Sequence, residues 1–340
     1  MKTTSGSIRS AYIESIRKKA LLLFVFIALV VVVALFALTQ GAYEISVRDV
    51  ILALIGGADS ASHVVVANIR LPRIVAAIVC GWGLSVSGLC IQSLLKNPLG
   101  SPSTLGISQG AAFGAALSLV VFGTKVLSVT TFAFVGAMGA TVVILILAQL
   151  KRLSPEAIIL AGVALASLFS SATILIQYLA TETELAMVVF WTFGDVARSN
   201  WREIIFMSVA IVLASLYLFA LRWDLNAMSS GEETAKGLGV GVERIRLFGM
   251  VTAALVAALA TAFHGVIAFV GLIAPHMARR LVGENHSLLI PLSAILGALL
   301  LLTADTLGRV LIGSGALPVG VITSFLGAPM FLYLLVRGYK

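Results

Sequence analysis

Residues 17–38 read RKKALLLFVFIALVVVVALFAL, three cations followed by nineteen residues that carry no charge. A helix rises about 1.5 Å per residue, so the run crosses nearly all of a hydrocarbon layer roughly 30 Å thick. It exceeds the about 7–15 residues of a secretory leader core, and no A-x-A cleavage pattern follows it. The run therefore reads as a first transmembrane helix. That reading fixes the class as an all-α membrane protein, because lipid offers the backbone no partner and a helix pairs its own N–H and C=O groups.

The rest of the chain agrees. Of 340 residues, 60% are hydrophobic and 11% charged, with mean hydropathy +1.08, whereas soluble domains carry about 25% charged residues. The net charge of +8 sits in short clusters between apolar runs, the pattern of loops facing an anionic membrane rather than of a nucleic-acid surface. Cys80 and Cys90 share one apolar run. Ten residues along a helix separate them by about 15 Å, too far for a disulfide.

Ten apolar runs are long enough to be read as spans: 20–38, 74–95, 105–122, 127–150, 154–178, 202–221, 247–264, 265–283, 288–307 and 317–337. With a cytoplasmic N-terminus, 16 Lys and Arg fall inside and 7 outside, which places both termini in the cytoplasm. Two outer segments are too charged or too short to cross, 43–56 and 181–200, and read as interfacial or re-entrant pieces, with Trp191 and Trp201 suited to the membrane–water boundary. Gly88 and Pro98, then Gly265 and Pro275, repeat a ten-residue spacing on helices of opposite direction, which hints at an inverted repeat. Residues 1–340 read as a single transmembrane domain.

Residues 222–246, RWDLNAMSSGEETAKGLGVGVERIR, break the oily pattern. Ser230-x-x-Glu233 fits a capping box, Glu232 and Glu233 suit the first turn of a helix, and Gly237 and Gly239 supply a stop. A plain connector between spans needs only a few residues. A structured insert on the cytoplasmic side suggests a docking surface. GLGVG lacks the spacing of a nucleotide fingerprint, and no G-x-x-x-x-G-K-[ST] occurs, so any ATP used is hydrolysed on another chain.

RLPR at 70–73, NPLGSPSTLGISQGAAFGA at 97–115, GEETAKGLGV at 231–240, GVIAFVGLIAPHMARRLVG at 265–283 and ADTLGR at 304–309 occur in this order. Together they resemble the membrane subunits of the iron-chelate, haem and cobalamin ABC importers. The resemblance implies the type II importer permease fold, with ten helices per subunit. It also implies a second permease subunit, identical or paralogous, two cytosolic ATPase subunits that bind ATP and Mg, and an extracytoplasmic substrate-binding protein. No cofactor or metal is then expected on this chain, and no catalytic residue. The implied place is a prokaryotic cytoplasmic membrane, and the implied cargo a metal chelate, ferric siderophore first, with cobalamin or haem as alternatives.

The resemblance also implies roles for particular residues. Glu232, Glu233, Ala235, Gly237 and Gly239 match the element that couples to the ATPase. Asn97, Pro98, Leu99 and Ser154 match the cytoplasmic gate. Arg70, Arg73 and Arg309 match arginines that meet the binding protein. Ser167, Ser171 and Tyr178 fall near one face of the fifth span, which lines the pathway in the family. Each has a plainer reading. Asn97-Pro98 makes a helix-breaking turn. Ser154 followed by Pro155 starts a helix. Hydroxyls serve helix packing, and Asp305 pairs locally with Arg309 at i, i+4. The rival of another class is an ion-coupled secondary transporter. It usually needs a buried carboxylate or His chain, to which Asp305 comes nearest.

Overall fold

In the computed structural model, residues 4–41, 43, 45–55, 60–123, 126–312 and 317–336 are described, and among them every regular element is helical. In chain order these are α1 (Thr4–Thr39), α2 (Val47–Leu54), α3 (Ser60–Val64), α4 (Leu71–Leu95), α5 (Ile107–Leu117), α6 (Val126–Gln149), α7 (Pro155–Leu179) and α8 (Glu182–Thr192). They continue with α9 (Trp201–Ala220), α10 (Arg222–Ser229), α11 (Glu232–Gly237), α12 (Val242–His264), α13 (Val270–Val282), α14 (His286–Ile312) and α15 (Val319–Val336). A π-helical turn over Val65–Arg70 joins α3 to α4, and another over Ser118–Phe122 extends α5. Lys2, Lys125, Arg337, Lys340 and the Glu44 and Gly56 ends of the outer segment lie outside the described residues.

Each expected span falls on a helix, but among the described residues seven helices are long and apolar enough to cross a membrane. Ile107–Phe122 and Val319–Tyr333 are shorter, and α13 has 13 residues. The eighth span was expected from Gly265. Its helix begins five residues later, because Gly265 ends α12 at φ +77° and Phe269 turns the chain at φ +67°.

Inside lipid the hydrophobic effect gives helices no reason to associate, so close backbone packing between small residues carries the contact. α4 is the enclosed centre, packed on α12, α13 and α14. At its crossing with α13, a Cβ added to Gly88 would stand 1.8 Å from the Gly271 carbonyl oxygen. Only glycine allows that approach. This also corrects the repeat: Gly88 lies inside a helix and faces Gly271, whereas Gly265 ends one. The two Gly–Pro spacings mark inequivalent positions.

Hydrogen bonds between distant segments sort the loops into two rims. On one, Lys19 Nζ donates to the Val282 carbonyl at 2.9 Å, and Asn226 Oδ1 accepts from the His286 backbone N–H at 2.9 Å. On the other, the Asp195 N–H donates to the His264 carbonyl at 2.7 Å, and the Gly320 N–H to Gly194 at 3.3 Å. α8, opened by a Thr181–Glu184 capping box, tucks beneath the second rim. Trp201 is 39% exposed, but Trp191 is only 9% exposed. The expectation of an interfacial Trp191 is corrected: α8 turns its apolar side into the core beside Val188.

Candidate functional site

The polar stretch 222–246 folds as α10, α11 and the first turn of α12. The expected Ser230–Glu233 capping box does not form. Ser230 closes α10, its N–H donating to the Ala227 carbonyl at 3.1 Å, and Gly231 at φ +133° becomes the first cap of α11 instead. At the far end Gly239, not Gly237, is the stop. Gly239 sits at φ +85°, its N–H reaches Lys236 at 3.0 Å, and the Val240 N–H reaches Ala235 at 3.0 Å. This paired closure satisfies the last carbonyls of α11. Gly237 is an ordinary helical residue with open space around its Cα.

α11 therefore has two sides. Ala235 is wholly buried, while Glu233, Lys236 and Gly237 are exposed, and so is Leu238 at 70%. Leu238 caps the helix and stands out on the same side as Glu233 and Lys236. The sequence pattern had not singled out Leu238.

Glu232 binds inward. Its carboxylate takes Lys236 Nζ at 3.0 Å and Arg246 at 2.9 Å. The Arg246 hydrogen bond is the main influence that holds the Glu232 carboxyl below its ordinary value, against partial burial and with help from Lys236. Arg246 is 1% exposed. Its Nε donates to the Leu94 carbonyl at 3.3 Å and its Nη1 to the Leu153 carbonyl at 2.9 Å. Sequence reading passed over Arg246 as one more inner-face cation. Its partners lie 152 and 93 residues away, beyond any local pattern.

The Leu94 carbonyl lies three residues before Asn97 and the Leu153 carbonyl next to Ser154, so both border the turns expected to form the gate. α4 ends at Lys96 in the left-handed region, and Asn97 Oδ1 accepts from the Leu99 N–H at 2.9 Å. Asn97 thus satisfies a backbone group freed by the break at Pro98, and Leu99 is left 42% exposed. In the second turn Arg152 and Leu153 both have positive φ. Ser154 then caps α7, its Oγ accepting from the Ala157 N–H at 3.3 Å, with Pro155 at the first helical position. Asn97 and Pro98 line a cleft of about 370 Å³ together with Gln92, Arg279 and His286. Ser154, Glu232 and Arg246 line another of about 450 Å³.

On the opposite rim, Arg70, Arg73 and Arg309 are turned into the protein. Arg70 donates to the Leu38 carbonyl at 2.7 Å and to that of Tyr43. Arg73 meets Asp305 at 2.8 Å and Asp195 at 3.8 Å. Arg309 meets Asp305 at 3.2 Å and the Ala37 carbonyl at 2.9 Å. Of the two readings, docking and local pairing, the geometry is that of local pairing. The partners of Arg70 and Arg73 are carbonyls and carboxylates of the chain. Ser167, Ser171 and Tyr178 are exposed along one side of α7, Tyr178 at 84%, and Ser167 Oγ returns its proton to the Val163 carbonyl at 3.1 Å.

A family model described as the FecCD transport family matches residues 28–337. A provisionally assigned ABC transporter permease, MJ0087 of Methanocaldococcus jannaschii, is 47% identical over 95% of this chain and 96% of its own. The Fe(3+)-citrate import system permease YfmE of Bacillus subtilis is 35% identical over 94% of this chain and 96% of its own. Among solved structures, an inward-facing conformation of a provisionally assigned metal-chelate type ABC transporter superimposes with TM-score 0.82. It is 34% identical and covers 94% of this chain and all of that one.

Proposed function

The chain belongs to the FecCD transport family, and from that membership we propose that it is the permease subunit of an ATP-driven importer for a metal chelate. In this reading ten passes place both termini in the cytoplasm of a prokaryotic cell, in its cytoplasmic membrane. Two permease subunits, identical or paralogous, enclose the pathway, with Ser167, Ser171 and Tyr178 of α7 on its wall. Two cytosolic ATPase subunits carry the ATP and Mg, and an extracytoplasmic binding protein delivers the cargo. This chain breaks no bond in substrate. It alternates access while the ATPases close and open.

The observation that carries the reading is the placement of α11. Its outer side offers Glu233 and Leu238 outside the apolar bundle, and its inner side is tied through Glu232 to both inner turns. A helix so placed can receive a push from a cytosolic partner and pass it to Asn97–Leu99 and Leu153–Ser154. The rival ion-coupled mechanism finds no support in Asp305, whose carboxylate is occupied by Arg73 and Arg309.

Ferric siderophore is the first cargo to test. Complexes of this permease with its ATPase and binding protein, reconstituted in vesicles, should accumulate labelled ferric siderophore only with ATP. Competition by ferric citrate, haem and cobalamin ranks the alternatives. The paired change Glu233→Lys and Leu238→Asp should leave insertion intact and abolish ATPase association and uptake together. Normal association in that variant removes the coupling role of α11. Uptake that collapses with an uncoupler at constant ATP removes the ATP-driven reading altogether.

A further inference from the structure

We propose that Arg246 is the transmission residue of this permease, a single guanidinium that makes α11 and both inner turns move as one body. The proposal rests on the reading of α11 as the ATPase contact and says how its motion reaches the gate.

A buried guanidinium stays charged and is costly to hold unless each N–H edge finds an acceptor. Here three edges find three acceptors on three separate segments. Nε takes the Leu94 carbonyl, in the last turn of α4 and three residues before Asn97. Nη1 takes the Leu153 carbonyl, next to Ser154. Nη2 takes Glu232, the first residue of α11. The Leu94 carbonyl is one of the four that a helix end leaves without a helical partner, so Arg246 completes α4 as well as holding it. Leu153 sits at φ +55°, a conformation that an ordinary residue keeps only where its surroundings enforce it.

The base of the arm is stiff. Arg246 projects from the first turns of α12, and the neighbouring α11 is closed on its own carbonyls by the Gly239 and Val240 hydrogen bonds and seated by buried Ala235. A displacement of α11 is felt at Arg246 through the Glu232 carboxylate. It must either carry Leu94 and Leu153 along or break charge-assisted bonds. Lys236 also pairs with Glu232, but its side chain is half exposed, and such pairs contribute little. Arg246 is the part of the network that reaches the gate.

A lysine cannot reproduce the arrangement. One ammonium on a flexible stem has no planar fork to span two carbonyls and a carboxylate. The test uses the whole complex in vesicles with Arg246→Lys, Arg246→Met and Glu232→Gln. Three quantities are read: ATPase co-purification, ATP hydrolysis, and cargo moved per ATP. Amide hydrogen exchange of α11 and of the Asn97–Leu99 turn, read in the unlabelled complex, reports whether the gate turn follows α11 when ATP binds.

In the Arg246 variants co-purification and hydrolysis should stay near wild type, because Arg246 is buried. Cargo moved per ATP should fall about ten-fold in both Arg246 variants and less in Glu232→Gln, the scale expected for a residue that carries coupling between sites. Exchange in α11 should still respond to ATP while that of the Asn97–Leu99 turn lags. A purely structural role would lower assembly and hydrolysis with transport, and would be relieved by Lys. Wild-type cargo per ATP in Arg246→Lys, or in Glu232→Gln if the Arg246 variants do not assemble, overturns the proposal. Failure of the α11 reading would show separately, as unchanged ATPase association in the Glu233→Lys, Leu238→Asp pair.

Discussion

Replacing Asp305 by Asn should be among the most damaging single changes on the rim formed by α1, α4 and α14. Asp305 is 0% exposed, and the Arg73 and Arg309 side chains that lean on it are 12% and 8% exposed. The substitution keeps size and one acceptor oxygen and removes only the charge. Two guanidiniums then face one another, and among the described residues the remaining carboxylate paired with them is Asp195, 3.8 Å from Arg73. Breaking a buried pair in this way costs about 3–5 kcal/mol, because the remaining charge is stranded. With one acceptor retained, about 3 kcal/mol is expected. The assay is unfolding in detergent or nanodiscs for Asp305→Asn, Arg309→Met and the double variant. The double variant should lose less than the sum of the singles, since residues in one network are not additive. A loss below about 1 kcal/mol, the range of exposed pairs, with additive singles, would refute the reasoning. The arginines would then be solvated and free for a carboxylate of the binding protein, which is the docking role the resemblance implied.

Three other outcomes follow from the geometry. Gly88→Ala should force α4 and α13 apart at the Gly271 carbonyl and cost at least the about 1–3 kcal/mol of an overpacked core; unchanged thermal stability would mean the crossing is loose. Leu99→Ala with Asn97→Gly removes the exposed side chain and the side-chain acceptor of the inner turn, so assembled vesicles should leak cargo without ATP; an unchanged leak leaves the motif a structural turn. The Glu232 carboxyl titrates below its ordinary 4.5, so its contact with Arg246 stabilises the folded form above that value and is lost as pH falls through the lowered one. Hydrogen exchange of α11 amides, corrected for intrinsic rate, should show protection that is flat near neutrality and drops in acid. Glu232→Gln should erase the step.

Much of the fold was legible because membrane helices are decided locally. An apolar run of about 20 residues must satisfy its backbone within itself, so the positions of the long helices, the break at Asn97-Pro98 and the start of α7 at Ser154-Pro155 could all be read from spacing. The cap at Ser230 could not, although it too looked local. Ser230 is suited both to close α10 and to open α11, and only the path of the chain through Gly231 decided between them.

What the tertiary structure alone decided is which distant groups meet. Gly88 looked equivalent to Gly265 by spacing, yet it touches Gly271 because helix crossings are set by packing angle, not by sequence interval. Trp191 had the character of an interfacial residue and is buried where α8 packs against α5 and α7. Arg309 had Asp305 in view at i, i+4, but Arg70 and Arg73 had no visible partners along the chain; Asp305 stands 232 residues from Arg73. Arg246 was one cation among several until the ends of α4 and α6 were brought beside it. Backbone hydrogen bonds in a helix close over four residues, so sequence determines them. The bonds of a buried guanidinium close over whatever carbonyls the bundle delivers, and only the assembled bundle can say which those are.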